Sequence, residues 1–267
     1  MEILYAVLVL LATGIVAGVL LALASHYMSV PVDEREVRVR ANLPGANCGA
    51  CGYTGCDAYA AALASGEAKP NLCVPGGSNV ANAIACELGI EAGECAELMP
   101  YIHCNGTPDA ALRPAEYEGH ASCAVMTMAG GGPLACKYGC LGGGDCADAC
   151  PVDAICVKGG IARIDRDICI SCGICASVCP KHIISMIPKS AAVAVTCSSR
   201  DTGATARKNC KNACIACKKC ERTCEWGAIK VVDNLAVIDY EKCVRCGKCA
   251  EVCPTGCIAS LVKNEDK

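Results

Sequence analysis

Residues 169–180 read CISCGICASVCP, and residues 243–254 read CVRCGKCAEVCP. In both stretches four cysteines follow the spacing C-x2-C-x2-C-x3-C and end in Cys-Pro. This spacing is typical of thiolates that bind cubes of iron and sulfide, whereas the cysteines of a secreted disulfide framework are spaced irregularly. The two stretches therefore predict iron–sulfur clusters and argue against disulfides.

The composition also indicates that cysteine chemistry stabilises the fold. The 267 residues include 28 cysteines, one tryptophan and no phenylalanine. Because aromatic side chains dominate the energetics of an ordinary core, a chain so poor in them needs support from metal or disulfide links. The net charge of -3 is too small to point to nucleic acid or to another strongly charged partner.

The sequence contains an internal repeat with a constant offset, which aligns position 123 with position 197. Residues 161–165 (IARID) then align with residues 235–239 (LAVID), and a cysteine meets a cysteine at nine positions. These pairs are Cys123 with Cys197, Cys136 with Cys210, Cys140 with Cys214, Cys146 with Cys220, Cys150 with Cys224, Cys169 with Cys243, Cys172 with Cys246, Cys175 with Cys249, and Cys179 with Cys253. Self-similarity of this kind predicts a duplicated module.

Each copy contains two cysteine runs separated by a short segment with strand-like alternation, and this layout resembles a bacterial two-cluster ferredoxin. In such a ferredoxin the fourth cysteine of each run binds the cluster of the other run. The resemblance implies three complete ligand sets: Cys150, Cys169, Cys172 and Cys175; Cys214, Cys217, Cys220 and Cys253; and Cys224, Cys243, Cys246 and Cys249.

One run departs from the ferredoxin pattern at Gly143, where the second copy has Cys217. A four-iron cluster at this run needs a third ligand from elsewhere, and we predict that Cys136 supplies it. The predicted set is Cys136, Cys140, Cys146 and Cys179. A three-iron cluster without that ligand is the alternative.

A second kind of cysteine motif lies nearer the N-terminus, where residues 47–56 read NCGACGYTGC. Its glycines allow the backbone to approach a cluster closely. With one distant cysteine the motif supplies four thiolates: Cys48, Cys51, Cys56 and Cys73. We predict a small four-iron domain closed by helices over residues 58–64 and 79–88, and a four-cysteine zinc site is the alternative.

Eight cysteines lie outside these five sets. Four of them either form a sixth cluster site or stay unliganded: Cys104, Cys123, Cys197 and Cys210. The other four match no ligand spacing and are predicted to be packing residues, as free cysteines often are: Cys86, Cys95, Cys156 and Cys257.

An apolar stretch occupies residues 3–24, and as a helix it would reach about 33 Å, enough to cross a bilayer. Only Glu2 is charged before it, so the basic region of a signal peptide is missing. The basic residues that follow are Arg35, Arg38 and Arg40. We therefore expect a single-pass transmembrane helix in membrane lipid, with the N-terminus outside, the cluster domains in the cytoplasm, and a solvated linker after the helix.

No motif for independent catalysis accompanies the cysteines. The sequence lacks a GxGxxG fingerprint after a strand, a phosphate-binding loop and a Ser/His/Asp arrangement. Clusters in series pass single electrons at potentials set by their surroundings. We therefore predict an electron carrier with no catalytic residues and with five [4Fe-4S] clusters, or six if the additional set binds one.

These parts predict an α+β fold with one N-terminal transmembrane helix, a small helical iron–sulfur domain and tandem bacterial two-cluster ferredoxin-like modules. The expected boundaries are 1–28 for the anchor, 29–41 for the linker, 42–103 for the small domain, 104–196 for the first module with its N-terminal extension, and 197–267 for the second module.

In the order of its parts the chain resembles the B subunit of Rnf-type ion-translocating electron transport complexes. The resemblance is carried by NCGACGYTGC with the distant Cys73, by CKYGCLGGGDCADACP at residues 136–151, and by the tandem ferredoxin runs. It implies that reduced ferredoxin donates electrons and that partner subunits carry them toward NAD. It also implies coupling to the export of sodium ions or protons across the cytoplasmic membrane.

Three other uses of the same parts stay open. A related membrane complex reduces a redox-sensing transcription factor, and the chain also has features of a self-contained iron–sulfur enzyme or of a tethered zinc or disulfide scaffold. One basic stretch either docks an acidic ferredoxin or keeps the surface solvated: Lys208, Lys211, Lys218, Lys219 and Arg222.

Overall fold

The computed structural model describes residues 2–27, 33–93, 95 and 97–261, with the side chains of Tyr5, Val7 and residues 11–23 described in the first helix. The helices are α1 Glu2–Tyr27, α2 Glu34–Asn42, α3 Cys56–Ala64, a 3-10 helix Pro70–Leu72, α4 Gly77–Leu88, α5 Cys123–Met128, α6 Asp145–Asp148, α7 Ile174–Val178, α8 Gly203–Asn209, α9 Lys219–Thr223 and α10 Lys248–Glu251. The strands are β1 Leu98–Ile102, β2 Ile155–Lys158, β3 Ile161–Ile164, β4 Ile184–Pro188, β5 Val193–Val195, β6 Ile229–Val232, β7 Leu235–Ile238 and β8 Ile258–Ser260.

The transmembrane helix expected over residues 3–24 is not supported. Within the ranges given above, no helix combines the length and the apolar character needed to cross a membrane. The prediction of a single-pass anchor was therefore wrong, and the topology derived from it, with the N-terminus outside, loses its support.

Helix α2 lies in the segment expected to be a solvated linker. Its N-cap is Asp33, whose side chain accepts a hydrogen bond from the Arg35 amide at 2.9 Å, and acidic residues fill its first turn. Val39 of α2 is fully buried among residues of α3 and α4. This segment is thus part of the small domain, although residues 28–32 of the expected anchor and linker lie outside the described residues.

Helices α3 and α4 confirm the two helices predicted for the small domain. Their shared core contains Tyr59 and Ile84, both almost completely buried. The Tyr59 hydroxyl donates a hydrogen bond to the Lys69 carbonyl at 2.6 Å and accepts one from the Leu72 amide at 3.3 Å. Because the buried hydroxyl is paired in both directions, it joins α3 to the loop that precedes Cys73.

The two ferredoxin-like modules contain the same pair of two-stranded antiparallel sheets. The alternating segments predicted between cysteine runs form the hairpins β2–β3 and β6–β7. The second sheet of each module pairs Ile102 with Ile184 in the first copy and Val195 with Ile258 in the second. Residues 262–267 of the predicted second module lie outside the described residues.

Candidate metal centres

The four cysteines of the small domain converge beside α3. Burial raises the pKa of the Cys73 thiol, and the nearby charges of Cys51, Cys56 and Cys48 raise it further. The Cys56 amide donates a hydrogen bond to Asn47 Oδ1 at 2.8 Å, which fixes the start of α3 against the NCGACGYTGC loop. The structure thus brings the whole predicted set together.

The first module brings together the predicted set that includes Cys150. Burial raises the pKa of Cys175 to about 11, and the neighbouring charges of Cys172, Cys169 and Cys150 contribute. Backbone amides point at the sulfurs of this set: Ala154 N donates to Cys150 Sγ at 3.3 Å, and Ser171 N donates to Cys169 Sγ at 3.4 Å. Amide-to-sulfur hydrogen bonds of this kind tune cluster potentials.

The second module contains two cavities, each lined by one predicted set. About 330 Å³ of empty space is lined by Cys214, Cys217, Cys220 and Cys253. About 390 Å³ is lined by Cys224, Cys243, Cys246 and Cys249. Burial raises the pKa of Cys220 to about 11, with further contributions from the other three cysteines of its set.

A cavity in the first module lies at the other predicted cluster site. The cysteines that line it differ from the predicted set by one residue. About 350 Å³ of empty space is lined by Cys123, Cys140, Cys146 and Cys179. Burial raises the pKa of Cys146 to about 12, and the charges of Cys140 and Cys123 are the next causes. The structure does not bring Cys136 to this cavity.

Cys123 is positioned by Asp145. The Asp145 carboxylate accepts hydrogen bonds from Cys123 N at 2.8 Å, from Ala124 N at 2.9 Å and from Ser122 Oγ at 3.2 Å. Burial opposes the ionised form, but these three hydrogen bonds hold the pKa of Asp145 below its usual value. The carboxylate therefore ties the N-terminus of α5 to α6, which carries Cys146.

A further cavity lies between the modules. About 440 Å³ of empty space is lined by Cys104, Cys136, Cys197 and Cys210. Three of these belong to the set considered for a sixth cluster, and Cys136 takes the place of Cys123. Burial raises the pKa of Cys136 to about 11, and the charges of Cys197, Cys104 and Cys210 raise it further.

The cysteines predicted to be packing residues behave differently from one another. Cys257 is almost completely buried, which confirms the prediction, and Cys95 is half-buried. Cys86 and Cys156 are exposed, so for these two the prediction was wrong. Both lie in regular elements, α4 and β2, on faces that point away from the cores.

The cysteine-lined cavities fit four-iron clusters. Within the described part of the chain, no group of three or more His, Cys, Asp or Glu side chains could hold a single metal ion. A [4Fe-4S] cube is larger, and each of its thiolates binds a different iron atom. Four cavities of about 330 to 440 Å³ offer that arrangement, three of them lined by four cysteines and the fourth by its predicted set of four together with Cys257.

Family comparisons match the regions that carry these cysteines. A family described as "Putative Fe-S cluster" matches residues 43–75. A family described as "4Fe-4S binding domain" matches residues 162–185 and 236–259, and a second family of the same description matches residues 211–227. These matches confirm the prediction of several [4Fe-4S] clusters.

Curated relatives extend the similarity to most of the chain. The B subunit of the Na(+)-translocating ferredoxin:NAD(+) oxidoreductase complex of Acetobacterium woodii is 42% identical over 251 residues, which are 94% of this chain and 75% of that protein. The B subunit of an ion-translocating oxidoreductase complex of Methanosarcina acetivorans is 37% identical, over 88% of this chain and 89% of that protein. The B subunit of the proton-translocating ferredoxin:NAD(+) oxidoreductase complex of Clostridium ljungdahlii is 38% identical, over 85% and 80%.

Proposed function

This chain belongs to the B-subunit family of ion-translocating ferredoxin:NAD(+) oxidoreductase complexes, and we propose that it accepts electrons from reduced ferredoxin and relays them to partner subunits. It is an iron–sulfur electron-transfer subunit of such a complex. The partner subunits complete the transfer toward NAD. Because ion translocation requires a membrane, the chain works at the cytoplasmic face, where reducing conditions keep its thiols available for iron.

The observation that carries the proposal is the succession of neighbouring cysteine sets along the molecule. Cys48 of the small domain lies near the first module, since its charge contributes to the raised pKa of Cys172 after the larger effect of burial. Within that module the two sets are also neighbours, since Cys175 contributes to the raised pKa of Cys146. Clusters held by these sets would therefore be neighbours, as an electron relay requires.

The protein's own residues have defined roles in this transfer. The cysteine thiolates would hold the clusters, which would each supply the acceptance and release of one electron. Backbone amides such as Ala154 N and Ser171 N donate hydrogen bonds to ligand sulfurs and so set the potentials. Buried aliphatic side chains, including Ile161 and Ile229, exclude water from the inner faces of the sets.

The docking site proposed for ferredoxin is the exposed basic pair Lys218 and Lys219. Both residues line the cavity that contains Cys217 and Cys253, so a partner bound there would stand next to a cluster site. Lys218 precedes α9 and has a left-handed backbone, with φ of 57°. Positive charge at this position would steer an acidic ferredoxin and speed its association at low ionic strength.

Stopped-flow reduction of the full chain by reduced ferredoxin tests this proposal. The double variant Lys218→Glu/Lys219→Glu is expected to lower the second-order rate at least tenfold at low salt and to flatten its salt dependence. Lys158→Glu, at an exposed position in β2, is the matched control and should change neither quantity much. Equal rates and equal salt dependence for the wild type and both variants would refute docking at Lys218 and Lys219. If reduced ferredoxin did not reduce the wild-type chain, the proposal that ferredoxin is the electron donor would be refuted.

A further inference from the structure

The cavity between the two modules has the composition and size of a cluster site. We infer that Cys104, Cys136, Cys197 and Cys210 hold a [4Fe-4S] cluster at this junction, and that Cys123 replaces Cys136 in the first module. The empty space at the junction is about 440 Å³, compared with about 330, 350 and 390 Å³ at the three ferredoxin-type cavities. The family matches described above leave residues 76–161 and 186–210 uncovered, and these ligands lie there.

Strand pairing shows that each module contributes the same two ligands. Cys104 follows Ile102 by two residues, and Ile102 pairs with Ile184. Cys197 likewise follows Val195 by two residues, and Val195 pairs with Ile258, the repeat partner of Ile184. Cys104 and Cys197 are therefore equivalent in space, although the sequence offset aligns Cys197 with Cys123.

The other two ligands are equivalent by sequence as well as by their surroundings. Cys136 and Cys210 occupy the same position in the two copies of the repeat. The amide of Tyr138 donates a hydrogen bond to Cys136, and the amide of Asn212, the repeat partner of Tyr138, donates one to Cys210. The junction site thus takes one equivalent pair of thiols from each copy.

Backbone amides also point at the remaining two sulfurs. Cys140 N donates to Cys104 Sγ at 3.3 Å, and Ser199 N donates to Cys197 Sγ at 3.4 Å. Each of the four sulfurs therefore accepts a main-chain hydrogen bond, which is what anionic cluster ligands need when they are withdrawn from water.

A glycine lets the backbone approach the site. A Cβ on Gly106 would lie 3.6 Å from Cys104 Sγ and 3.8 Å from Cys210 Sγ, and 3.2 Å from the Ala111 side chain. Hydrogen bonds then lock the two modules around the cavity: Ser198 Oγ donates to the His103 carbonyl at 2.9 Å, and Asn212 Nδ2 donates to the Asn105 carbonyl at 2.8 Å. The four thiols are therefore held in place by contacts that do not involve metal.

The position of Cys123 completes the exchange. A Cβ on Gly143 would lie 3.1 Å from Cys123 Sγ, so the thiol occupies the space where the second module has the side chain of Cys217. Cys123 thereby supplies the ligand that Gly143 lacks, and Cys136 is free for the junction.

The junction site would connect the two modules electrically. Cys104 accepts a hydrogen bond from the amide of Cys140, a ligand of the first module. Cys197 accepts one from the amide of Cys214, which is the repeat partner of Cys140 in the second module. This consequence rests on the proposed relay, but the metal site itself does not, because its test counts clusters and needs no ferredoxin.

Four double variants of the full chain test the ligand assignment, with intact [4Fe-4S] clusters counted by Mössbauer spectroscopy after reconstitution with iron-57. Substitution of two cysteines of the same set should remove one intact [4Fe-4S] cluster, whereas substitution of one cysteine in each of two sets should remove two. A three-iron cluster that survives at a site does not count as intact. From about six clusters in the wild type, Cys123→Ala/Cys140→Ala and Cys136→Ala/Cys210→Ala should each leave about five. Cys123→Ala/Cys210→Ala and Cys136→Ala/Cys140→Ala should each leave about four.

The control double variant Cys86→Ala/Cys156→Ala, at two exposed positions outside every set, should keep all clusters. The reverse pattern among the four variants would overturn the exchange of Cys123 and Cys136. If Cys136→Ala/Cys210→Ala left the cluster count unchanged, the junction cluster itself would be overturned. Anomalous scattering at the iron edge from wild-type crystals gives an independent result for variants that do not fold: iron between the modules supports the inference, and its absence contradicts it.

Discussion

The backbone amide of Gly143 donates a hydrogen bond to Cys123 Sγ at 3.2 Å. In the second module the position equivalent to Gly143 is itself a cysteine, Cys217. A ligand missing from one cysteine run is therefore replaced from α5, a helix that lies in the part of the chain between β1 and that run. The exchange changes the ligand set of one site and leaves a cysteine available for another.

Cys123 fills the space beside Gly143, so a larger residue at position 143 would displace Cys123. We expect Gly143→Ala to remove most of the cluster held by Cys140, since the new Cβ would overlap the backbone at Ser122 and Cys123. Iron and acid-labile sulfide should each fall by about four atoms per chain. Gly119→Ala is the control, because its Cβ would meet only the movable ring of Tyr117. Wild-type iron content in Gly143→Ala would show that Cys123 is not held there.

Asp145 is expected to act as a positioning residue for Cys123. Asp145→Ala removes the acceptor of three hydrogen bonds and should destabilise the α5–α6 contact by roughly 1–3 kcal/mol. The measurement is the rate of iron release to a chelator, which should rise for one cluster only. Asp148→Ala, at an exposed position in the same short helix, is the matched control. Equal release rates for the two variants would contradict this role.

Cys257 is expected to tune the cluster bound by Cys214. Hydrogen bonding with the Cys257 thiol is the largest cause of two lowered pKa values, about 6 for Cys214 and about 7 for Cys197. The same hydrogen bonds raise the pKa of Cys257, which therefore stays protonated. Loss of a donor to a ligand sulfur disfavours the more negative reduced state. Cys257→Ala should therefore lower the potential of the cluster bound by Cys214 by an amount on the order of tens of millivolts, measured by an EPR-monitored redox titration.

Cys257→Ser keeps a donor and should shift that potential less than Cys257→Ala does. Cys156→Ala, at an exposed position outside every set, should not shift it. An unchanged potential in Cys257→Ala would contradict the tuning role, and the same shift in all three variants would trace it to a general loss of packing.

The small domain should depend on Ile84 for its stability. Ile84 is fully buried between α2, α3 and the cysteine loop, whereas Ile90 is 46% exposed. Ile84→Ala should cost about 3 kcal/mol, as large-to-small changes in cores do. Hydrogen exchange in α3 and α4 peptides is the measurement, and these amides should exchange faster in Ile84→Ala but not in Ile90→Ala. Unchanged protection in both variants would contradict the packing of α2 and α4 on α3.

Sequence spacing was sufficient for the parts of the fold that depend on local cysteine runs. The hairpins β2–β3 and β6–β7 and the helices α3 and α4 all lie where alternation or alanine-rich segments predicted them. Helix α2 was missed because its charged face dominates the sequence, and only Val39 reveals that one side is buried.

The ligand exchange could not be predicted from spacing, because it depends on contacts between distant segments. The constant offset of the repeat aligns Cys123 with Cys197, while strand pairing makes Cys104 the counterpart of Cys197. The segment between Cys104 and Cys136 is longer than its counterpart between Cys197 and Cys210, so one register cannot match both ends. The absence of a cysteine at position 143 was the available signal, but it did not identify the replacement.

Anaerobic quantification of iron, zinc and acid-labile sulfide in the purified full chain, followed by addition of reduced ferredoxin, tests the central claim most directly. We predict about 24 iron atoms and as many sulfides per chain, no stoichiometric zinc, and bleaching of the visible absorption by ferredoxin. Zinc without labile sulfide, or iron–sulfur absorption that reduced ferredoxin leaves unchanged, would contradict the role of this chain as an electron relay.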